Sequence, residues 1–282
     1  MKFNLNTAEL FVPDGLPVEE ALARTTHLCV AAHQDDIEIM AANPILACFQ
    51  QPDKWFTGVV VTDGRGSPRD DLYKDYTDED MRVVRFKEQK KAAVIGEYAA
   101  QVLLDYPSKA IKDGSNQQAV EDIVKLLQAT RPRIVYTHNL ADKHDTHVGV
   151  ALKVIEAVRR LPQDEQPQQL YGCEVWRDLD WLTDADKVPF DCSAHENLQL
   201  ALVSVFDSQI CGGKRYDLAT MGRRKAHATY FASHGADVTT GLSFGMDLTP
   251  LIADPARDPG RYVLEFIQRF AQEATDRVQR LC

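Results

Sequence analysis

The chain predicts an α/β fold: a doubly wound, mostly parallel, Rossmann-like sheet with helices on both faces and a C-terminal α/β extension. Two observations predict it. Apolar runs alternate with segments of helical periodicity at the pace of βαβ units. Two runs rich in histidine and aspartate each follow an apolar run and precede a helical pattern, Ala32-His33-Gln34-Asp35-Asp36 and His138-Asn139-Leu140-Ala141-Asp142-Lys143-His144-Asp145-Thr146-His147. Alternation of this kind implies parallel strands. Right-handed crossovers then gather the strand ends on one side, in the crevice where open α/β sheets bind ligands.

Taken in order, residues 28–32 (Leu-Cys-Val-Ala-Ala) read as a short buried strand and 37–49 as an amphipathic helix. Residues 55–62, with Val59-Val60-Val61, read as a second strand, and 81–98 as a helix. Residues 101–104, 119–129, 133–137 and 147–161 continue the strand–helix alternation. After a polar, proline-bounded loop at 162–167 the rhythm weakens. A strand is expected at 171–175, helices at 196–209 and 216–233, an edge strand or turn at 241–248, and a final helix at 262–281 with apolar residues at helical spacing. Residues 1–161 are thus expected to form a catalytic core, and 162–282 an extension that shapes the substrate cleft within a single α/β domain.

Composition narrows the function. A chain of 282 residues with a net charge of −10 can bury a substantial core but lacks the concentrated Lys and Arg that phosphate-backbone binding needs, so no nucleic-acid partner is expected. No apolar run reaches the ~18 residues of a spanning helix, and the first ten residues lack a signal-peptide order. No membrane association is therefore expected, and a cytoplasmic location is. The cysteines Cys29, Cys48, Cys173, Cys192, Cys211 and Cys282 form no C-x-x-C pair, so reduced thiols without a redox or zinc-knuckle role are expected.

His33 and Asp36, three apart across a turn, can reach one cation, and zinc sites take such mixed ligands. Asp35 is then left beside the ion, placed to accept a proton from water that the ion has acidified. Alone, the segment equally fits an N-cap and first-turn pair. His144 and His147 share the first turn of the next helical pattern; one completes a His2Asp set and the other stays free to act on substrate.

The two segments together resemble the family of zinc-dependent de-N-acetylases that includes the bacterial LmbE-like proteins and PIG-L, whose members read Ala-His-Pro-Asp-Asp near the N-terminus and His-Pro-Asp-His further on. Here the matching residues are Ala32-His33-Gln34-Asp35-Asp36 and His144-Asp145-Thr146-His147, and Arg85-Phe86-Lys87-Glu88 is similar to the family's Arg-x-x-Glu helix. The resemblance covers roughly residues 25–160. It implies metal ligation by His33, Asp36 and His147, a general base at Asp35 and a substrate-polarising role for His144. Zn2+ is the implied ion, although a His2Asp set also accepts Fe2+, Co2+ or Mn2+. Gln34 stands where the family has proline, and Thr146 where it has aspartate, which leaves the orientation of His144 to Asp142, Asp145 or no carboxylate.

The implied reaction is removal of an acetyl group from a small-molecule N-acetylated amino sugar or glycoconjugate; an amidase acting on a sugar–thiol conjugate uses the same machinery, and family members allow a homo-oligomer. A non-catalytic sugar- or nucleotide-binding module is the competing reading, and a two-metal phosphoesterase lacks the extra ligands it would need. Arg65 and Arg69, in the loop Thr62-Asp63-Gly64-Arg65-Gly66-Ser67-Pro68-Arg69, are candidate substrate-binding forks, against the alternative of surface ion pairs. Arg85 is a third candidate, against an i,i+3 pair with Glu88. The acidic balance favours a neutral or cationic ligand unless arginines reverse it locally. His138 is expected to be a hydrogen-bonded structural histidine, and His195, His227 and His234 lack partners at ligand spacing. Ser208-Gln209 matches a Ser-Gln pair found in some family members.

Overall fold

The computed structural model describes residues 1–282. Its eight strands are β1 (Glu9–Phe11), β2 (His27–Ala31), β3 (Phe56–Thr62), β4 (Ala100–Tyr106), β5 (Ile134–His138), β6 (Gln169–Cys173), β7 (Lys187–Asp191) and β8 (Leu242–Asp247). They form one sheet in the order β1-β4-β3-β2-β5-β6-β8-β7. The run from β4 to β6 is parallel, while β1, β8 and β7 join antiparallel. Twelve helices connect them: α1 (Val18–Ala23), α2 (Asp36–Met40), α3 (Ala42–Cys48), α4 (Asp78–Ile95), α5 (Ser108–Lys112), α6 (Gln118–Thr130), α7 (Asp145–Arg159), α8 (Glu196–Ser204), α9 (Asp207–Ile210), α10 (Tyr216–Tyr230), α11 (Thr249–Ala253) and α12 (Pro259–Leu281).

The period-2 geometry of a strand explains how one sheet feeds two cores. From β2, Leu28 and Val30 enter an apolar layer with Ile123, Leu127, Val150 and Val154 of α6 and α7. Cys29 and Ala31, one position out of phase, enter a second layer with Ile37, Ile45 and Phe86 of α2, α3 and α4. A strand buried on both faces reads as a continuous apolar run.

The chain moves outward from β2 through β3 to β4, then crosses back to place β5 on the other side of β2. The switch in direction therefore lies between β2 and β5. Because both strands run parallel, the loops that leave their carboxyl ends open into the same crevice. Those loops carry the two histidine–aspartate motifs.

Several boundaries depart from the sequence expectation for identifiable reasons. The expected helix at 37–49 is two helices, because Pro44 has no N–H for the Met40 carbonyl and its ring crowds that group, so the backbone turns at Ala41. α4 starts three residues earlier than its apolar periodicity suggests, since Thr77 and Asp80 form a reciprocal capping box. The expected helix at 196–209 breaks at Phe206, because Ser208 donates from both N and Oγ to the Glu88 carboxylate at 2.7 and 2.8 Å. The stretch expected as an edge strand or turn at 241–248 is instead the interior strand β8, flanked by β6 and β7. The true edge is β7, whose Pro189 lacks a ladder donor and whose charged ends suit an edge.

The three strands after residue 161 extend the same sheet. Gly172 of β6 packs where a Cβ would lie 2.9 Å from the Asn139 Cα and 3.0 Å from Leu248 Cδ1. Gly172→Ala should therefore force apart the β5–β6 junction and cost about 1–3 kcal/mol, read as a lower urea midpoint at an unchanged slope. At the far end, α12 anchors by Tyr262 and Phe266, and no helix of the chain is long and apolar enough to cross a membrane.

Candidate active site and metal centre

The turn after β2 is held from below. Thr62 Oγ1 donates to the Ala32 carbonyl at 2.8 Å, and the Ala32 N–H donates to His138 Nε2 at 2.8 Å. Gln34, in the place of the family's proline, is fully buried, and its amide donates to the Thr62 carbonyl at 3.0 Å. A side-chain tether thus replaces a fixed φ. Asp35 then adopts φ 88°, a left-handed conformation that costs a non-glycine residue about 1–3 kcal/mol. Arg85 compensates by donating to the Gln34 carbonyl and, at 2.9 Å, to Asp35 Oδ2, while the Asp35 N–H donates to Gln89 Oε1 at 3.3 Å. The kink aims the Asp35 carboxylate into the cleft and lets Asp36 begin α2.

The second motif arrives from the end of β5. Asp142 accepts from the backbone N–H groups of His144 (2.9 Å), Trp176 (3.1 Å) and Arg177 (3.4 Å), and its Oδ2 stands 3.5 Å from His147 Nδ1. This carboxylate therefore orients His147 rather than His144, whose Nδ1 has no protein partner.

Three ligand-type atoms converge. His33 Nδ1 lies 3.1 Å from His147 Nε2 and 3.2 Å from Asp36 Oδ2, and His147 Nε2 lies 3.3 Å from the same oxygen. Ligands bonded tetrahedrally at ~2.0–2.1 Å are separated by roughly 3.3–3.4 Å, so this triangle fits one divalent ion. Two triplets within ligand reach of one another occur here, His33-His144-His147 and Asp36-His138-His147. His138 is the weaker donor, because its Nε2 lone pair already accepts the Ala32 N–H and its proton is assigned to Nδ1. It serves as a buried floor, stacked on the His147 ring at 3.9 Å.

The electrostatics suit a cation. Burial alone would raise Asp36, but His147, His138 and His33 overcome it and hold the carboxyl well below the usual range. Burial pushes Asp35 up to about 6, with Arg85 opposing and Asp36 reinforcing the rise. Burial, and then the neighbouring His147 and His33, lower His144, which favours its neutral form.

These groups form the floor of a cleft of about 460 Å³, within the size range of small-molecule sites. His33, Asp35, Asp36 and His144 line it, together with Thr146 and Arg85. The opposite wall comes from the C-terminal part of the chain: Val175, Trp176, Gln209, Tyr216, Ala219, Thr220 and Arg223.

Of the two readings the sequence left open for the candidate substrate-binding arginines, the structure shows ion pairs. Arg65 is held by Asp63 (3.0 Å), Glu79 (2.7 Å) and Asp105 (3.4 Å), and Arg69 pairs with Asp78, so neither lines the cleft. The carboxylates that engage them, Asp63, Asp78, Glu79 and Asp105, all lie outside the cleft lining. The loop touches the cleft through Gly64, Gly66, Ser67 and Pro68 instead. At Gly64, φ is +73° and a Cβ would lie 2.6 Å from Gln34 Oε1. Arg85 reaches the cleft, yet it is 1% exposed and its guanidinium is engaged by Asp35, Glu88 and the Gln34 carbonyl. It positions Asp35 rather than offering a free fork.

Ser208 caps this network through Glu88, and the adjacent Gln209 lines the cleft. His227 instead stacks on Phe244 at 4.3 Å, away from the cleft, and His195 packs against Phe49. Trp176, Tyr216, Lys112 and Arg223 were invisible as site residues in the sequence. No motif marks them, because they reach the cleft only through long-range folding.

Residues 28–158 match the PIG-L family model, described as GlcNAc-PI de-N-acetylase. The chain carries a PIG-L family domain. The matched span ends one residue before the end of α7, so the PIG-L domain contains both histidine–aspartate loops. Among solved structures, a conserved protein from Thermus thermophilus, TT1542, is 19% identical, with a TM-score of 0.61 over 83% of this chain and 99% of that one. The N,N'-diacetylchitobiose deacetylase from Pyrococcus horikoshii is 16% identical, with a TM-score of 0.61 over 82% and 86% of the two chains. The 4-carboxy-2-hydroxymuconate hydratase GalB from Pseudomonas putida is 15% identical, with a TM-score of 0.61 over 79% and 96%. At these identities the likeness establishes a shared fold around the PIG-L domain. No curated protein matches the chain.

Proposed function

We propose that this protein is a metal-dependent hydrolase that removes the acetyl group from an N-acetylated amino sugar or sugar conjugate. The observation that carries the reading is the triangle of His33 Nδ1, Asp36 Oδ2 and His147 Nε2, open on the side facing the cleft where Asp35 stands. The PIG-L match supports the acetyl group, and the chitobiose deacetylase among the structural neighbours supports a sugar.

His33, Asp36 and His147 would hold Zn2+, which supplies Lewis acidity toward water and the amide carbonyl. Asp35, fixed by Arg85, takes a proton from the water that attacks the acetamido carbon. His144 donates an N–H to the carbonyl oxygen as negative charge develops there, a hydrogen bond that strengthens in the transition state. When the C–N bond breaks, Asp35 returns its proton to the departing nitrogen, giving acetate and a free amine. Asp142 stands on His147 and His144 Nδ1 has no protein partner, so His144 acts here as a neutral donor.

The test is zinc analysis of the purified protein together with acetate release from a panel of N-acetylated sugars. Stoichiometric zinc with turnover is the expected result; absence of both would return the chain to the class of binding modules. Asp142→Asn removes the charge beside His147 and weakens the anchoring of the Trp176 backbone. Zinc affinity should fall about 10–100-fold in a competition titration, the usual effect of losing a ligand's orienting partner.

A further inference from the structure

The helix α12 outruns its contact with the rest of the fold. Its first half is anchored: Tyr262 and Phe266 are buried, the Tyr262 hydroxyl donates to the Asp247 carbonyl at 2.6 Å, and Arg269 Nε donates to Asp186 Oδ2 at 2.7 Å. From Ala271 to Cys282 every residue except Glu273 and Ala274 is exposed. The side-chain hydrogen bonds of this stretch run within the helix, from Gln272 to Asp276, Thr275 to Ala271 and Arg277 to Glu273. A helical stretch of about twelve residues is marginal in water unless a partner covers its apolar face.

Ile267, Phe270, Ala274, Val278 and Leu281 recur at the spacing that lines one helical face, and the four large side chains are between 44% and 77% exposed. Phe270 meets Trp181 only edge to face, with ring centres 6.5 Å apart. With Leu264 beside them, they leave roughly 500 Å² of apolar surface, near the top of what a monomer carries and more than half of the ~800 Å² that each partner buries in a standard interface. The polar positions of α12 carry Arg261, Arg269, Arg277 and Arg280 against Glu265, Glu273 and Asp276, close to balance, whereas a helix that lies on a lipid surface is rich in Lys and Arg there. The order of the stripe selects the partner. Counted from Ala274, its large apolar positions fall at −7, −4, +4 and +7, so the pattern is the same read in either direction. A two-fold axis at Ala274 therefore sets Ile267 against Leu281 of the partner subunit and Phe270 against Val278 of the partner subunit, the self-complementary patch that an isologous pair requires. The small Ala274 at the crossing lets the two backbones approach.

We propose that α12 is the interface of a homodimer, in which the exposed halves of two copies pack antiparallel about a two-fold axis at Ala274. The dimer does not depend on the hydrolase reading, since α12 lies outside the matched residues 28–158 and contributes no residue to the cleft.

The experiment is sedimentation velocity of the full-length chain over about 1–100 µM, a hundred-fold range of association. The chain should sediment at twice its 31.7 kDa. Ile267→Glu/Val278→Glu places a charge in each half of the seam and should sediment as a monomer with an unchanged circular dichroism spectrum. Val278→Glu alone, on a turn that touches no core residue, should weaken association at least about ten-fold and serves as the second variant should the double one lose its fold. Ala274→Cys in a Cys282→Ser background should give a disulfide-linked dimer under mild oxidation, because the axis brings the two copies of position 274 together. Cys282 of the unaltered chain should form no such link, since antiparallel pairing puts it beside Phe266 of the partner subunit. A monomer at every concentration, whether free or bound to phosphatidylcholine–phosphatidylserine vesicles, would overturn the proposal, as would a dimer that survives both glutamate variants or one that links through Cys282.

Discussion

Asp35→Asn is expected to lower acetate release by roughly 10²–10⁴-fold, the range associated with losing a positioned general base. The amide keeps the size of the carboxylate and can still accept from Arg85 Nη2, which sits 2.9 Å from Asp35 Oδ2. The positive φ of Asp35 is tolerated by asparagine better than by most residues. The turn should therefore persist, and zinc bound by His33, Asp36 and His147 should be retained. Acetate release measured beside zinc content separates the roles: retained zinc with lost turnover is the expected pair, and unchanged turnover would remove Asp35 from the mechanism.

Asp36→Ala should have the other large effect, through a different cause. Asp36 Oδ2 is the point shared by the site: it accepts from the His33 N–H at 2.7 Å and stands 3.2 and 3.3 Å from the His33 and His147 ring nitrogens. Without it, one proposed ligand and the carboxylate oxygen that stands within 3.3 Å of both imidazoles are lost together. Zinc affinity should fall by more than the roughly 10–100-fold that loss of an orienting partner costs, and turnover should fall with it. The expected signature is loss of both metal and activity, which distinguishes this variant from Asp35→Asn. Adding excess zinc should restore part of the activity if the loss is one of occupancy, and normal zinc binding without Asp36 would exclude it as a ligand.

Much of the fold and of the candidate site was legible in the residues themselves. His33 and Asp36 fall within one turn, and their approach depends on little beyond the strand-to-helix passage that surrounds them. His144 and His147 were likewise readable as neighbours on one helical turn. What local pattern could not show was the company these residues keep. His138 is committed to the Ala32 N–H across 106 positions of sequence, and Asp142 orients His147 while pinning Trp176. For Arg65 and Arg69 the sequence left substrate forks and surface ion pairs both open, because the approach of Glu79 and Asp78 from α4 is not written near them in the chain. The boundary between α8 and α9 was hidden for the same reason, since the groups that break the helix belong to Glu88.

The amino-acid order alone determined the strand–helix alternation, the two histidine–aspartate turns and the candidate reacting side chains, because periodicity, proline geometry and capping act among residues a few positions apart. Only the tertiary structure decided that β5 returns beside β2, that Arg85 serves Asp35, and that Trp176, Tyr216 and Arg223 line the cleft. Those outcomes depend on which strand ends the crossovers set side by side, and on which carboxylates come within a few ångströms of each cation. Distances of that kind are properties of the folded sheet.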